Sequence, residues 1–321
     1  MSLIWPDDRR NGSEPFAAPG RYRVVTTNLP VPRDAVLIVN ARSRRGAALF
    51  EQARAKCEAT GIRLIAAHPV RDPALLNDTV RAAVRSGAPM VIVGGGDGSL
   101  SCVVDDLVGK DCVFAVLPLG TANSFARTLG LPLDLDGAIE AIATGKRRRV
   151  DLGMIDNDYF ANAAAMGLSP MIGESVPHNL KKYLGRAGYL AWAVWCFARF
   201  RPFRAIVTDS TGEHRLWASE VRILNGRFHG GVEMSEHADV DTGQMVIQVV
   251  TGRNRWRLAW DWYSRFFRVR NREKLVEEFH GAELKLDTRP RHRISIDGEV
   301  LARTPVTVRV AERAIDVVVP A

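Results

Sequence analysis

The chain has 321 residues, of which 46% are hydrophobic and 25% are charged, a balance that is ordinary for a soluble globular protein with room for two domains. Its formal net charge of +8 favours an acidic partner, either nucleotide phosphates or an anionic membrane surface. The sequence has no zinc-finger, aromatic RNA-binding or helix-turn-helix pattern, so we expect no nucleic-acid partner.

The N-terminal region, residues 1–33, contains Pro, Gly, Arg and Asp but no apolar core. We therefore expect a flexible arm and not a signal peptide. Further along, no run of about 18 apolar residues predicts a membrane-spanning helix. The four cysteines form no C-x-x-C pair and are expected to be reduced thiols in a cytoplasmic protein.

Short apolar runs alternate with helical segments in the first half of the chain. These runs predict strands at Ala35–Val39, Leu64–Ala67, Met90–Val93 and Val113–Leu117. The alternation predicts a parallel sheet built from right-handed βαβ units. Polar loops that contain Asn40, Gly94 and Gly120 follow three of the strands, at the sheet edge where ligands of such folds bind.

The most distinctive stretch is the turn Gly94-Gly95-Gly96-Asp97-Gly98-Ser99, which follows a strand and precedes a helical segment running through Leu107. Glycines allow the backbone to approach a ligand closely, and a helix N-terminus attracts an anion, so this turn predicts a phosphate site. A Walker A loop is excluded because no Lys-Ser/Thr pair follows, and Ser99 argues against a dinucleotide fingerprint. Asp97 would repel bare phosphate and is expected to meet a metal ion, a hydroxyl or a cation. A tight turn without a ligand remains the alternative.

After about residue 150 the pattern changes to many short strands separated by turns, which predicts an antiparallel sheet or sandwich. A helix is predicted at Tyr183–Phe200. The strands are predicted at Val150–Ile155, Tyr159–Ala164, Arg204–Thr208, Leu216–Leu224, Met245–Val250, Glu283–Leu286, Arg293–Ile296, Val306–Val310 and Ile315–Val319.

Three motifs in order, Gly95–Ser99, Leu119–Arg127 and Ile296–Glu299, resemble the diacylglycerol kinase catalytic family, most closely its soluble bacterial lipid kinases. The glycine turn alone is shared more distantly with NAD kinases and phosphofructokinases. The resemblance implies an NAD kinase/diacylglycerol kinase-like α/β domain with a parallel sheet at residues 34–152, to which residues 308–321 return. It also implies a C-terminal antiparallel β-rich sandwich domain for the lipid substrate at residues 153–307.

The resemblance also implies a set of ATP contacts at the strand ends. They are Asn40, Gly95, Gly96, Asp97, Gly98, Ser99, Thr121 and Asn123. This chain departs from the family pattern where Ala41 replaces a proline, where Ala67-His68 replaces a threonine, and at Ser124, where aspartate is common.

Asp297 and Glu299 match the family's DGE motif, which is placed at the acceptor hydroxyl. A carboxylate there can accept the hydroxyl's proton during phosphoryl transfer, a reaction that requires Mg²⁺ with ATP. Asp97 is a rival for the role of base, and the sequence does not decide between the carboxylates. On spacing alone, Asp297-Gly298 predicts a hairpin turn.

Residues 237–245 resemble a family loop that binds a structural Mg²⁺. Asp239 and groups near Thr242 and Gln244 are the implied ligands, although Thr242 stands where relatives carry aspartate.

Two aromatic and basic segments suit contact with an anionic membrane. One is Arg253–Arg272, with Trp256, Trp260, Tyr263 and Phe267 at helical spacings. The other contains Tyr189, Trp192, Trp195 and Phe203, with Arg199, Arg201 and Arg204 at its end. The alternative is that these aromatics pack on the sheet beneath arginine stems. The basic run Lys146–Arg149 predicts a solvated turn.

Together these observations predict a cytoplasmic, ATP-dependent lipid kinase at the inner face of the membrane, acting on a hydroxyl of diacylglycerol or a related lipid. An NAD-kinase-like enzyme with a soluble substrate and a non-catalytic nucleotide-binding regulator are the alternatives. The acceptor lipid and the oligomeric state, a homodimer included, are left open.

Overall fold

The structure is a computed structural model that describes residues 30–42, 44–176, 188, 191–253, 256, 260, 275–297 and 299–321. Within that part of the chain, none of the helices is both long and apolar enough to cross a membrane.

The first half alternates strands with helices, as the apolar pattern predicts. Its elements are β1 (Asp34–Asn40), α1 (Arg44–Ala59), β2 (Arg63–Val70), α2 (Leu76–Arg85), β3 (Met90–Gly95), α3 (Asp97–Ser101), β4 (Val113–Pro118), α4 (Ser124–Thr128) and α5 (Leu135–Thr144). The strands pair in parallel in the order β2-β1-β3-β4. Every residue of β3 and β4 is buried, because helices cover both faces of the parallel sheet.

The second half is rich in strands. Its elements are β5 (Lys146–Ile155), β6 (Asp158–Phe160), β7 (Ala163–Gly167), α6 (Leu168–Ser175), β8 (Phe203–Asp209), β9 (Gly212–Leu224), β10 (Phe228–His229), β11 (Val232–Glu233), β12 (Met245–Thr251), β13 (Val276–Gly281), β14 (Glu283–Arg289), β15 (Arg293–Ile296), β16 (Glu299–Arg303) and β17 (Val306–Val319). Residues 188 and 191–199 are also helical. Strand pairs such as β7–β9, β8–β9 and β15–β16 are antiparallel, and their inward faces share one hydrophobic core.

Strand β17 joins the two kinds of sheet. Its first part pairs antiparallel with β14, and Asp316 and Val317 pair in parallel with β4. The prediction of two separate strands at Val306–Val310 and Ile315–Val319 is wrong, because the chain continues as one strand through a register shift between Ala311 and Ile315. The parallel pairing of Asp316 and Val317 with β4 supports the predicted return of residues 308–321 to the first sheet. The exact domain limits stay a prediction.

The basic run Lys146–Arg149 does not form a solvated turn. It begins β5, where Arg147 donates to the buried Asp316 at 2.8 Å and Arg148 pairs with Asp241. The helix predicted to run through Leu107 ends at Ser101 and is followed by a short 3-10 turn.

Candidate active site

The glycine turn lies at the carboxyl end of β3. A Cβ on Gly95 would lie 2.5 Å from the Cβ of Ser99, and a Cβ on Gly120 would lie 2.5 Å from the Cα of Gly96. Only glycine therefore lets the turn close on α3 and lets the two loops pack backbone to backbone. The predicted phosphate turn and the predicted second nucleotide loop are thus in direct contact.

Asn40 links the first strand to this turn. Its Nδ2 donates a 3.0 Å hydrogen bond to the Ser99 hydroxyl. The structure therefore brings together the loops after β1, β3 and β4, as expected for the carboxyl edge of a parallel sheet.

Asn123 shapes the second loop from within. It adopts a left-handed backbone conformation with φ of 49°. Its Oδ1 accepts from the Gly120 amide at 2.9 Å, and its Nδ2 donates to the carbonyl oxygens of Gly120 and Pro118. The amide is buried and committed to its own loop, while Thr121 is exposed at the tip. Asn123 therefore fixes the shape of the loop, and its predicted contact with a nucleotide stays a prediction.

Asp97 is the first residue of α3 and is partly buried. Its Oδ1 accepts a 3.2 Å hydrogen bond from the backbone amide of Phe125 in α4. The carboxylate thus ties the glycine turn to the loop after β4.

Asp297 comes from the second half of the chain and reaches the same place. It lies in the turn between β15 and β16 with φ of 44°, and its carbonyl oxygen would lie 3.8 Å from a Cβ on Gly98. The Ser101 hydroxyl donates to its Oδ2 at 2.6 Å, and the Ala163 amide donates to its Oδ1 at 3.1 Å. The two carboxylates predicted to do the chemistry, Asp97 and Asp297, therefore both lie at the glycine turn, close enough for the charge of Asp97 to act on Asp297.

Burial raises the pKa of Asp297 to about 6, and the nearby Asp97 charge acts in the same direction. Hydrogen bonds from Ser101 and Ala163 oppose this effect without cancelling it. A carboxyl group with a pKa near 6 can accept a proton efficiently near neutral pH. The Glu299 side chain lies outside the described residues.

Several residues near this point were not predicted. Ser101 stands two positions after Ser99, and no local pattern marks it as a partner of Asp297. His229 lies on β10. Burial lowers the pKa of its imidazole, and the charges of Glu220 and Asp97 partly oppose that shift. Ser124, noted only as a departure from the family pattern, accepts a 3.1 Å hydrogen bond from the Gly231 amide and so joins α4 to the hairpin β10–β11.

A fully buried ion pair lies behind the site. Glu220 and Arg222 are two positions apart on β9 and therefore share one face of the strand. Their side chains are 0% exposed and meet at 2.6 Å. Glu220 also accepts hydrogen bonds from Ser169 in the first turn of α6, so the pair fixes that helix to the sheet.

The predicted magnesium loop does not fit a resident cation. Asp239 accepts from Arg227 at 2.7 Å, and Arg148 lies 4.0 Å away. The Thr242 hydroxyl is aimed at the carbonyl oxygens of Asp239, at 3.1 Å, and Gln244, at 3.3 Å. The Thr242 hydroxyl lies within hydrogen-bond distance of both carbonyl oxygens, and arginines neutralise the acid. These contacts argue against Asp239, Thr242 and Gln244 as metal ligands.

The two predicted membrane segments are described in part. Tyr189, Tyr263 and Phe267 lie outside the described residues. Phe203 is 1% exposed and belongs to the core, so its predicted place on the surface is wrong. Trp195, Trp256 and Trp260 are 44%, 65% and 51% exposed, and Arg199 lies over the Trp195 ring at 4.4 Å.

Known proteins match this chain over both halves. Residues 34–155 match the family model of the diacylglycerol kinase catalytic domain. Residues 162–319 match that of the YegS C-terminal NAD kinase beta sandwich-like domain. The two matches together show a diacylglycerol kinase catalytic domain followed by a YegS-type C-terminal domain. The resemblance predicted from the three motifs is confirmed, as is the predicted fold class of a parallel α/β half followed by a β sandwich.

Curated proteins similar to this chain carry the name "Probable lipid kinase YegS-like". One from Pseudomonas syringae pv. tomato is 33% identical over 177 residues, which cover 53% of this chain and 57% of that protein. One from Shewanella frigidimarina is 26% identical over 247 residues, covering 75% of this chain and 80% of that protein. The chain thus spans little more than half the length of the Pseudomonas syringae relative.

Solved structures share the fold. A diacylglycerol kinase from Bacillus anthracis str. Sterne superposes with a TM-score of 0.69 at 19% sequence identity. The superposition covers 89% of this chain and 97% of that chain. At this level of identity, the likeness shows the fold alone.

Proposed function

We propose that the protein is an ATP-dependent lipid kinase that transfers the γ-phosphoryl group of ATP to a hydroxyl of diacylglycerol or a related lipid. The observation that carries this proposal is the position of Asp297, which the second half of the chain presents to the glycine turn of the first. The names of the curated relatives support the same reaction class.

The proposed roles follow from the contacts. The turn Gly95–Ser99 holds the triphosphate, with Asn40 fixing the Ser99 hydroxyl and Thr121 exposed above the second loop. Asp297 accepts the proton of the lipid hydroxyl while that oxygen attacks the γ-phosphorus. The bond from the γ-phosphorus to the bridging oxygen breaks, and ADP leaves with the electron pair.

Asp97 is assigned to the cation that accompanies ATP. Its Oδ1 accepts a hydrogen bond from the Phe125 amide, and its charge acts on the Asp297 carboxyl group. Carboxylate oxygens are the ligands that Mg²⁺ prefers, so the Asp97 carboxylate fits the ion. When bound, Mg²⁺ supplies charge neutralisation for the phosphates.

A hydrophobic substrate requires access to a lipid surface. The exposed tryptophans Trp195, Trp256 and Trp260 lie with Arg199 and Arg201 on the second half of the molecule. A cavity of about 500 Å³ is lined in part by Arg199, Arg201 and Arg293. Arginine and tryptophan together favour the headgroup layer of an anionic membrane, and we propose peripheral docking through this face.

The direct test of the activity is incubation of the purified chain with γ-labelled ATP, Mg²⁺ and a total lipid extract, followed by identification of the labelled species. We expect one labelled lipid that is absent when the chain is omitted. Labelling of NAD in a parallel reaction without lipid would instead support a soluble-substrate kinase. ATP binding with no labelled product would support a regulator.

A further inference from the structure

A cluster of two histidines and one glutamate shares no residue with the candidate active site. Glu278 and His280 are on the edge strand β13, and His237 is in the loop that precedes β12. One ligand atom from each residue lies within 4.8 Å of the others. The three residues come from segments about 40 positions apart, so their convergence is a product of the fold.

The local structure explains the geometry. Glu278 and His280 are separated by two positions on a strand, so both side chains point to the same face. His237 Nδ1 lies 3.0 Å from Oε2 of Glu278, and His280 Nε2 lies 3.5 Å from the same oxygen. The two imidazole rings meet edge to face, with centroids 5.6 Å apart.

The carboxylate is held in place from behind. Gln248, which is buried on β12, donates from Nε2 to Oε1 of Glu278 at 2.6 Å. The same Nε2 donates to the Met234 carbonyl oxygen at 2.8 Å, so the amide is fixed in turn. Outer hydrogen bonds of this kind orient the ligands of metal sites.

The chemistry of the three side chains points to the class of metal. Two imidazoles and one carboxylate form a donor set that suits a borderline transition metal better than Mg²⁺.

We propose that His237, Glu278 and His280 bind a divalent transition-metal ion of the zinc type. Two imidazole nitrogens and one carboxylate oxygen leave the fourth tetrahedral position to water or another ligand. The site is separate from the glycine turn and uses none of the residues implied for magnesium in the adjoining loop.

The position of the site gives it a structural consequence. The loop that carries His237 is tied to β5, because Gly243 donates to the Asp151 carboxylate at 2.8 Å and the Asp151 amide donates to the Val240 carbonyl at 2.6 Å. Strand β13 pairs with β12 in the part of the chain that the structure describes. A metal ion bound here would connect strand β13 to the loop that carries His237, and this loop contacts β5. Metal binding would therefore stabilise the folded chain by mass action.

The test uses the full chain, freed of metal by a chelator that is then removed, in buffer without Mg²⁺. Titration with Zn²⁺ by calorimetry is expected to give one saturable equivalent and a melting temperature that rises until one equivalent is bound. Substitution of Co²⁺ is expected to give the visible absorption of a four- or five-coordinate site with nitrogen and oxygen ligands.

Two variants and a control make the result specific. His280→Ala and Glu278→Gln are expected to weaken Zn²⁺ binding at least about 100-fold, the upper end of what loss of an outer-shell partner costs. Glu278→Gln keeps the side-chain shape and decides the question if His280→Ala fails to fold. His68→Ala, which removes an exposed histidine on β2, is expected to leave binding unchanged. Absence of saturable binding, or binding that both cluster variants retain, would overturn the proposal; the latter would mean an adventitious ion held elsewhere.

Discussion

The Ser101 hydroxyl donates a 2.6 Å hydrogen bond to Oδ2 of Asp297, joining two side chains that are 196 positions apart in the chain. Ser101 ends the short helix that follows the glycine turn, and Asp297 begins the turn after β15. The contact therefore joins the two halves of the molecule at the point where the proposed chemistry occurs, and it lowers the proton affinity of the proposed base.

The first prediction concerns this hydrogen bond. It lowers the pKa of Asp297, so Ser101→Ala is expected to raise that pKa above about 6. The base must be ionised, and the acid limb of the kcat/KM profile for lipid phosphorylation is therefore expected to move to higher pH. Ser86→Ala, which removes a hydroxyl bonded to a carbonyl at the end of α2, serves as the control. Coincident profiles for wild type and Ser101→Ala would contradict the assignment.

The second prediction is that Asp297→Asn stabilises the protein. The pKa of this carboxyl lies at about 6 in the folded chain against an ordinary value of 3.8, so ionisation disfavours the folded state. The difference corresponds to about 3 kcal/mol, and we expect about 1–2 kcal/mol because the side chain is partly exposed. The gain is expected to be full above pH 6 and to shrink as the pH falls towards 4, because the wild-type carboxyl is then protonated.

Urea unfolding at a series of pH values measures this gain. Asp156→Asn is the matched control, since Asp156 also occupies a turn with positive φ, of 53°, but lies in the exposed turn after β5. A pH-independent difference between Asp297→Asn and wild type would show that the electrostatic explanation is wrong.

The third prediction compares two Glu-x-Arg pairs on β9. Glu220 and Arg222 are fully buried, whereas Glu213 and Arg215 are paired at the same 2.6 Å distance but with exposed side chains. Glu220→Gln is expected to cost about 3–5 kcal/mol, because a buried guanidinium loses its carboxylate. Glu213→Gln is expected to cost less than about 1 kcal/mol. Equal changes in the urea midpoint would refute the role of burial.

The fourth prediction concerns the exposed tryptophan and arginine face. Arg201→Ala is expected to weaken binding to vesicles that contain anionic lipid by about fivefold, the equivalent of about 1 kcal/mol for one basic residue. Trp195→Ala is expected to weaken it as well. Leu75→Ala, at an exposed leucine on the first half, is the control. Co-sedimentation that does not depend on anionic lipid would count against docking through this face.

Much of the parallel half follows from the sequence alone. Buried strands such as β3 are continuous apolar runs. The turn after β3 is recognisable because glycines cluster there. The carboxyl ends of neighbouring parallel strands must lie at one edge, and this is why the contact between Asn40 and Ser99 was foreseeable.

The remainder depends on pairings between distant residues. Strand β13 was not predicted because its Glu277, Glu278 and His280 mask the apolar pattern at a sheet edge. The basic start of β5 looked like a turn because its partner Asp316 lies 169 positions away. The bond from Ser101 to Asp297 and the surroundings of His229 also depend on residues far apart in the chain. No local pattern specifies which side chains meet across a cleft.

The central claim is that Asp297 acts on the lipid hydroxyl at the glycine turn. The most direct measurement is the rate of label transfer from γ-labelled ATP to the identified lipid at pH 7 by wild type, Asp297→Asn and Asp156→Asn. Loss of a positioned base is expected to lower the Asp297→Asn rate by about 10²–10⁴-fold, with Asp156→Asn unchanged and ATP binding retained in both. A wild-type rate for folded Asp297→Asn would contradict the account.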